Sequence, residues 1–338
     1  MKYDLLCIGN ALLDQEFRVD DAFLDQYSLT KGTMHLIEIE RIRELKSALT
    51  DHQALKQQCG GSAANTAYAT CGFRQRVYFT GKVADDEAGN QFNDEFNLVG
   101  IETNRPSMPN GSEATGQCIL LITEDGERTM NTCLSISEAL STDDLDESAV
   151  SNSKQIFIEG YLASSDTGHL AASRARELST GRNQEVNVTI SDVSMVNGFR
   201  GNLEKIMGNG IHRVFCNVDE ALAWCGTDRL DIAVTILRDV ARIPIVTLGP
   251  QGCVIGVTKT GKRFNGEPAN TLDVNGAGDM FAGAYLASIL AGADETDAAK
   301  FANYAAAKQV EHFGPRLDSI QSYGRIKDRF QSSVKGIA

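Results

Sequence analysis

The segment Thr271–Phe281 reads TLDVNGAGDMF, and it carries the strongest prediction of fold and chemistry. An extended lead ends near Asp273, a glycine-rich turn follows at Gly276–Gly278, and a long apolar helix starts at Met280. Small residues at a helix N-terminus leave backbone N–H groups open to an anion, which the helix dipole also favours. Asp279 would then stand beside that anion as a proton acceptor. The pattern favours phosphoryl transfer to an alcohol, although an ordinary glycine-rich turn would look the same.

A second small-residue cluster, GGSAAN at 60–65, opens a helix after an extended segment. Its paired glycines let the backbone approach a ligand closely. Asn65 offers a donor and an acceptor to sugar hydroxyl groups, while Ser62 is a typical helix N-cap residue. Asp14, in GNALLD just after the first strand, can accept hydrogen bonds from a vicinal diol, or can be an ordinary loop aspartate.

A third cluster, Asn217–Glu220, follows a short strand and reads NVDE. Asn217 and Glu220 lie one helical turn apart on one face. This pairing suits a hydrated Mg²⁺, which keeps several waters and touches few carboxylates. The same spacing fits a capping box at a helix N-terminus equally well.

Around these clusters the chain alternates strand and helix patterns. Strands are predicted at 3–8, 76–80, 155–159, 186–190, 212–216 and 243–248. Helices are predicted at 38–49, 62–71, 87–98, 167–178, 218–225, 230–240 and 280–290. Short strands separated by helices imply right-handed crossovers and a mainly parallel sheet, with ligands beyond the carboxyl ends of the strands.

Two stretches, 15–37 and 105–134, break this alternation. The second carries a hairpin pattern, in which GQCILLIT and RTMNTCL flank the turn EDGE. Structureless loops of this length are uncommon in compact domains, so a small β lid over a site is favoured over surface loops. We expect residues 1–14, 38–104 and 135–338 to form one α/β core, with 15–37 and 105–134 forming a β lid inserted in it.

Composition excludes several classes of protein. The chain has 338 residues and a net charge of −13, so it would repel phosphate backbones and anionic lipids, and no nucleic-acid or membrane partner is expected. Asp4 interrupts what would be the apolar part of an export signal. The eight cysteines form no CxxC pair or zinc spacing and are expected to be reduced. These features predict a soluble, cytoplasmic protein.

At this point five motifs together resemble the ribokinase/PfkB family of kinases. The stretches GGSAANTAYATCGF (60–73) and DVNGAGDMFAGAY (273–285) resemble its two signatures. NVDE (217–220) resembles the family's Mg²⁺-associated motif, and VTLGPQG (246–252) resembles its nucleotide-side strand and turn. GKVADDEAG (81–89) also fits the family. The motifs occur in the family's order and span most of the chain, which makes the combination specific.

The resemblance implies a Rossmann-like, mainly parallel α/β sheet flanked by helices, with a small β lid. It implies transfer of the γ-phosphoryl group of ATP to a hydroxymethyl group. By position, Asp279 is the base, and the backbone of Gly276, Ala277 and Gly278 forms the anion hole. The implied substrate-binding residues are Asn10, Leu12, Asp14, Met34, Leu36, Gly60, Gly61, Ser62, Asn65 and Tyr161. The implied nucleotide-binding residues are Thr247, Gly249, Gly252 and Asn303.

The resemblance also implies metal ions. Asn217 and Glu220 would serve Mg²⁺ through water, and Asp273 would lie near a monovalent cation, often K⁺. Val274 departs from the family, which usually has Thr there, so one hydroxyl contact to the cation site is lost.

Within the family, adenosine kinases are the most similar members. GNALLD (9–14) and ATGQC (114–118) resemble their segments, and Arg128 matches a lid arginine that reaches phosphate. The match weakens at Tyr161. Those enzymes place two aromatic residues against the purine at this point, whereas this chain has one. The prediction is phosphorylation of adenosine at its 5′-hydroxyl to give AMP. A free-sugar kinase and a non-catalytic nucleotide- or sugar-binding regulator are the alternatives, and the chain is expected to be a monomer or a lid-mediated homodimer.

Overall fold

Strands and helices alternate along the chain as the sequence predicts. The computed structural model describes residues 1–52, 54–104 and 114–335. The strands are β1 (Tyr3–Ile8), β2 (Leu12–Arg18), β3 (Met34–Leu36), β4 (Ala54–Gly60), β5 (Val77–Thr80), β6 (Glu102–Thr103), β7 (Gly116–Ile122), β8 (Arg128–Cys133), β9 (Ser153–Ile158), β10 (Glu185–Thr189), β11 (Ile211–Asn217), β12 (Ala241–Thr247), β13 (Cys253–Ile255) and β14 (Lys262–Phe264). The helices are α1 (Asp21–Gln26), α2 (Ile39–Ala48), α3 (Ser62–Gly72), α4 (Glu87–Leu98), α5 (Glu147–Ser151), α6 (Gly168–Thr180), α7 (Val193–Met207), α8 (Val218–Cys225), α9 (Leu230–Leu237), α10 (Ala277–Leu290), α11 (Glu295–Gln309) and α12 (Ile320–Lys335).

The larger sheet has the strand order β14-β13-β12-β11-β10-β9-β1-β5-β6. Strands from β12 to β6 pair in parallel, and β13 and β14 add an antiparallel hairpin at one edge. Strand β1, with the sequence YDLLCI, is buried at every position because helices cover both faces of the sheet. One apolar cluster, which includes α3 and α10, packs on one face, and another, which includes α6 and α7, packs on the other. The predicted α/β fold with a mainly parallel sheet is confirmed.

A second sheet of five strands has the order β3-β8-β7-β2-β4. Strands β7 and β8 form the hairpin that the sequence predicts, with Gln117 opposite Cys133 and Ile122 opposite Arg128. Strand β4 belongs to this sheet although residues 54–60 lie in the stretch assigned to the core by sequence. Residues 105–113 of the predicted lid lie outside the described residues.

Helices α1 and α2 cover one face of the five-stranded sheet. Phe17, Ile119 and Leu121 of the sheet form an apolar cluster with residues of this helical layer. The helical layer contributes Leu24, Leu29, Ile42, Leu45 and Leu49. One face of the second sheet is therefore buried within the chain.

Helices α3 and α10 pack closely against each other. Both are rich in alanine and glycine, and their small residues are buried. A Cβ atom on Gly283 of α10 would lie 2.7 Å from the Cβ of Ala69 in α3, so only glycine permits this approach. The close crossing brings the N-terminal turns of the two helices side by side.

Candidate active site

The N-terminal turns of α3 and α10 meet at Asp279. The Ser62 hydroxyl donates a hydrogen bond to Asp279 Oδ1 at 2.6 Å, and the Asn65 Nδ2 donates to Asp279 Oδ2 at 3.0 Å. Although the side chain is partly exposed, the surrounding protein excludes enough water to raise the pKa of Asp279 to about 6. The hydrogen bonds from Ser62 and Asn65 and the charge of Arg316 act in the opposite direction. A carboxyl group with this pKa is mostly ionised at neutral pH and can accept a proton.

The turn before α10 has the shape that its sequence predicts. Gly276 caps the helix with φ of 71°, a conformation that favours glycine, and a Cβ there would overlap the Pro315 carbonyl. Ala277 N donates to Val274 O at 3.2 Å, and Met280 N donates to Gly276 O at 2.8 Å. The amides of Gly278 and Asp279 lie between these two bonds, in the first turn of the helix, where amides have no partner within the helix. The turn can therefore receive an anion through its N–H groups.

A cavity of about 250 Å³ opens on one side of Asp279, between the two sheets. We call it the first cavity. Predicted substrate residues that line it are Asn10, Leu12, Asp14, Met34, Leu36, Gly61, Ser62, Asn65 and Tyr161. Gly60 lies beside it as the last residue of β4, paired with Leu12 of β2. The structure thus brings together residues that are far apart in sequence.

Asp14 and Asn10 contribute polar groups to the first cavity. Burial raises the pKa of Asp14 to about 7, although the nearby positive charge of Arg316 lowers it. Asn10 Nδ2 donates to Glu159 Oε1 at 3.1 Å, and Asn10 Oδ1 accepts a hydrogen bond from Ser137 at 3.3 Å. Asn10 is therefore held by protein partners, whereas Asp14 is a buried carboxyl group whose nearby positive charge is that of Arg316.

Apolar side chains form the rest of the first cavity. Met34 and Leu36 come from β3, Leu12 comes from β2, and Tyr161 comes from the turn after β9. Further apolar lining residues are Leu120, Met130, Leu134 and Met195. The first cavity therefore combines this apolar wall with the polar groups of Asp14, Asn65 and Asp279.

A second cavity of about 750 Å³ lies on the other side of the α10 N-terminus. The predicted nucleotide residues Thr247, Gly249, Gly252 and Asn303 all line it. Ala277 and Gly278 line it as well, while Asp279 lines the first cavity. The first turn of α10 therefore separates the two cavities. Asn303 also has a local role, because its Nδ2 donates to Asn265 O at 3.0 Å.

Arg128 is paired with carboxylates in this structure. Its Nη2 lies 2.5 Å from Asp273 Oδ2, and its Nη1 lies 3.5 Å from Glu16 Oε1. Asp273 Oδ2 also accepts a hydrogen bond from Gly314 N at 2.6 Å, and its Oδ1 accepts one from Asn275 N at 3.0 Å. Both carboxylate oxygens of Asp273 are thus occupied, and a fixed positive charge stands beside them. This donor set does not fit a bound monovalent cation.

Asn217 and Glu220 form a capping box at the start of α8. Asn217 Oδ1 accepts from Glu220 N at 2.9 Å, and Glu220 Oε2 accepts from Asn217 N at 3.1 Å. The two side chains also share a hydrogen bond of 2.6 Å, and burial raises the pKa of Glu220 to about 7. With these atoms engaged, the pair fits Mg²⁺ only through intervening water. No group of three or more His, Cys, Asp or Glu side chains in the described ranges is arranged to hold a metal ion.

Sequence reasoning missed several polar residues of this region. The first cavity is also lined by Thr132, Glu159, Ser164, Ser191 and Asn275, and Arg316 donates a hydrogen bond to Asn65. Glu159 Oε2 accepts from Ala63 N at 2.8 Å, and burial raises the pKa of Glu159 to about 7. Its position at the carboxyl end of the predicted strand 155–159 was a usable sign, because ligands bind at strand carboxyl ends.

Comparisons with known proteins agree with this architecture. The model of the pfkB family carbohydrate kinases matches residues 29–322, and the chain belongs to this family. Members of the family phosphorylate hydroxyl groups of sugars or nucleosides, and the protein is accordingly a phosphotransferase that acts on an alcohol group. The family generally uses ATP and Mg²⁺. In the part of the chain that the structure describes, no helix is both long and apolar enough to cross a bilayer.

Individual relatives include nucleoside and sugar kinases. The structure of adenosine kinase from Sinorhizobium meliloti is 32% identical, with a TM-score of 0.86, and the match covers 96% of this chain and 99% of that one. A probable sugar kinase from Rhizobium etli CFN 42 is 30% identical, with a TM-score of 0.86, and the match covers 96% and 98%. The adenosine kinase of Schizophyllum commune is 25% identical over 93% of this chain and 97% of its own length.

Proposed function

We propose that this protein is an ATP-dependent nucleoside kinase that phosphorylates adenosine at its 5′-hydroxyl to give AMP. The observation that carries the proposal is the composition of the first cavity, which combines an apolar wall with Asp14 and Asp279. The apolar wall suits a purine, Asp14 suits the vicinal diol of a ribose, and Asp279 suits the primary hydroxyl. The relatives named adenosine kinase add support.

In this proposal Asp279 is the general base. The 5′-hydroxyl would donate its hydrogen bond to the Asp279 carboxylate, which Ser62 and Asn65 hold in place. As the hydroxyl oxygen attacks the γ-phosphorus in line, its proton passes to Asp279 and the bond to the ADP oxygen breaks, without a covalent enzyme intermediate. The N–H groups at the start of α10 stabilise the charge on the transferred group.

The nucleotide would occupy the second cavity, whose lining includes Thr247, Gly249, Gly252 and Asn303. Mg²⁺ supplies charge neutralisation for the ATP phosphates when bound, and Asn217 and Glu220 would hold its water shell. The five-stranded sheet would act as the lid, since Leu12, Met34, Leu36 and Met130 reach the first cavity from it. Excluding water from the site strengthens each electrostatic contact.

A free-sugar kinase is the second candidate. Glu159 and Asn10 add polar groups to the first cavity that a hydroxyl-rich ligand could use. Tyr161 is also the one aromatic residue that lines the cavity among the described residues. A non-catalytic regulator is disfavoured, because Asp279 lines the first cavity from the first turn of α10, beside the N–H groups that can receive a phosphate.

The experiment is a coupled ADP-release assay with purified protein, ATP and Mg²⁺ across adenosine, inosine, guanosine, ribose and fructose. We expect adenosine to have the highest kcat/KM, and product analysis should identify AMP. Thermal-shift measurements with a non-hydrolysable ATP analogue give a parallel binding readout, because a ligand that binds the folded state raises the Tm. Preferred turnover of a free sugar would favour the second candidate, and binding without turnover of any compound would favour the regulator.

A further inference from the structure

We propose that Arg316 is a positioning residue, which fixes the Asn65 amide so that its NH₂ group faces the Asp279 carboxylate. The inference rests on the proposed role of Asp279 as the base. Arg316 Nε donates to Asn65 Oδ1 at 2.8 Å, and Asn65 Nδ2 donates to Asp279 Oδ2 at 3.0 Å. The three side chains thus form one hydrogen-bonded chain, which runs from the segment before α12 through α3 to α10.

The direction of this chain follows from the chemistry of its members. An arginine guanidinium can only donate hydrogen bonds, and an ionised carboxylate can only accept them. Asn65 stands between the two, so its amide oxygen must face Arg316 and its NH₂ must face Asp279. Without Arg316 the buried amide oxygen of Asn65 loses its hydrogen-bond donor, and the amide is held at its NH₂ end only. An amide that is free to turn toward another donor would weaken its hydrogen bond to Asp279 and loosen the position of the base.

Arg316 is itself rigidly held. Its side chain is 3% exposed, and its Nη1 donates to Glu95 Oε1 at 2.7 Å. The guanidinium carbon lies 4.6 Å from the ring centre of Tyr68 and 5.3 Å from that of Phe96. These contacts use the planar fork and the flat face of arginine at the same time, which lysine cannot reproduce. The geometry therefore specifies arginine rather than positive charge alone.

The charge of Arg316 acts on the same carboxylate. Titratable groups within electrostatic reach of Asp279 are Arg316, Asp14 of β2, Glu159 after β9, Tyr161 after β9 and Tyr323 of α12. Among them Arg316 carries the positive charge, and it lowers the pKa of both Asp279 and Asp14 against the effect of burial. Removing it should raise the pKa of Asp279 and reduce the fraction of protein with an ionised base near neutral pH.

The test compares Arg316→Met, Arg316→Lys and the control Arg74→Met in the full-length protein. Arg74 is 59% exposed and pairs with Asp328 of α12, so its loss removes an arginine of the same region away from the cavity. We expect R316M to lower kcat by about tenfold or more and to move the acidic limb of the pH–rate profile upward by about one pH unit. R316K should keep the position of that limb but lose part of kcat. R74M should match the wild type in kcat and in the position of the acidic limb.

A double-mutant cycle asks whether Arg316 acts through Asn65. In an Asn65→Ala background, R316M should cost clearly less in kcat than it does in the wild type, because the amide to be oriented is gone. Additive effects of the two substitutions would overturn the proposal. A fall in activity that matches a smaller folded fraction, with an unchanged pH profile, would overturn it as well. If R316M does not fold, Arg316→Gln takes its place in every arm.

A readout that needs no turnover separates this inference from the proposed function. Carboxyl ¹³C NMR of aspartate-labelled protein, with the Asp279 signal assigned from Asp279→Asn, gives the pKa of Asp279 directly. We expect that pKa to be higher in R316M than in the wild type and unchanged in R74M. An unchanged value in R316M rejects the electrostatic role of Arg316. A wild-type protein that phosphorylates none of the compounds rejects the proposed function instead, whatever the NMR result.

Discussion

Arg128 Nη2 lies 2.5 Å from Asp273 Oδ2, and this ion pair joins strand β8 of the five-stranded sheet to the turn before α10. Both side chains are nearly buried, at 13% and 2% exposure, so the pair is poorly screened by solvent. The guanidinium thus supplies the positive charge that a monovalent cation would bring to Asp273.

Kinase activity should therefore be independent of K⁺. We expect less than about a twofold change in kcat when K⁺ is replaced by tetramethylammonium at constant ionic strength, because Arg128 already neutralises Asp273. In Arg128→Met, which leaves Asp273 without its partner, K⁺ should become stimulating. The coupled ADP-release assay measures the effect of K⁺ on kcat in the wild type and in Arg128→Met. Arg43→Met is the control, since Arg43 is 66% exposed and pairs with Glu40 on α2. Strong K⁺ activation of the wild type would contradict this interpretation.

Replacing the proposed base should abolish turnover without unfolding the protein. Asp279→Asn keeps the shape of the side chain but cannot take up the hydroxyl proton, so turnover should fall by at least about a hundredfold. Affinity for an ATP analogue, measured by thermal shift, should stay within about threefold, since Asp279 lines the first cavity and not the second. Asp143→Asn, at an exposed position, is the control. Near-normal turnover in D279N rejects the assignment.

Thermal stability should fall as the pH rises from about 4 to 7. Burial raises the pKa of Asp14, Glu159 and Glu220 to about 7 and that of Asp279 to about 6, well above the values of about 4 expected in the unfolded chain. The folded state thus binds more protons than the unfolded state in this window, and its stability is lost progressively as these groups ionise. Scanning fluorimetry from pH 5 to 8 measures the trend.

Removing one of these carboxyl groups provides the control for that trend. In D279N the Tm should exceed that of the wild type at pH 8, and the difference should shrink toward pH 5, where the wild-type carboxyl is largely protonated. An identical pH dependence in the two proteins would show that the Asp279 carboxyl does not contribute to it.

Asp14 should govern affinity for the sugar part of the substrate. Asp14→Asn replaces a carboxylate by an amide that accepts through one oxygen, and a hydrogen bond to a charged group is worth about 1.5–3 kcal/mol. We expect KM for the nucleoside to rise by about 10- to 150-fold with a smaller change in kcat. Initial rates with adenosine and with 2′,3′-dideoxyadenosine measure the effect. If D14N loses as much affinity for the dideoxy compound as for adenosine, the proposed contact between Asp14 and the diol is wrong.

The protein should be a monomer in solution. Helices α1 and α2 bury one face of the five-stranded sheet against Leu24, Ile42 and Leu45, and the opposite face lines the first cavity. Neither face is left free to pair with a second lid. Light scattering coupled to size exclusion should give a mass near 36.6 kDa across a range of concentrations. A stable mass of twice this value would contradict this expectation.

Much of the architecture could be predicted from local patterns. Strand β1 is found at Tyr3–Ile8 as predicted, because a short buried parallel strand leaves an uninterrupted apolar run. The β7–β8 hairpin follows the turn residues EDGE. Helix α11 was missed, because Glu295–Gln309 buries mainly alanines and so has a weak apolar period. Helix α1 was missed as well, because it spans only Asp21–Gln26.

The candidate site could be predicted in part for a similar reason. Ser62, Asn65 and Asp279 stand at two glycine-rich helix starts, and such starts are readable in sequence. The contacts of Arg316 are not readable, because its partner Asn65 is 251 residues away and no local pattern marks the loop. The partner of Arg128 depends in the same way on how one sheet lies over the other. Long-range polar contacts of this kind need the folded chain.

The single helical turn between the two cavities has a consequence for inhibitor design. Ala277 and Gly278 face one cavity and Asp279 faces the other, and one turn of helix rises about 5.4 Å. A bisubstrate compound, with a nucleoside joined to a nucleotide through a short phosphate bridge, would need to pass only this thin partition. Each half would then raise the effective concentration of the other at its own cavity. The compound would be selective because it has to fit both cavities.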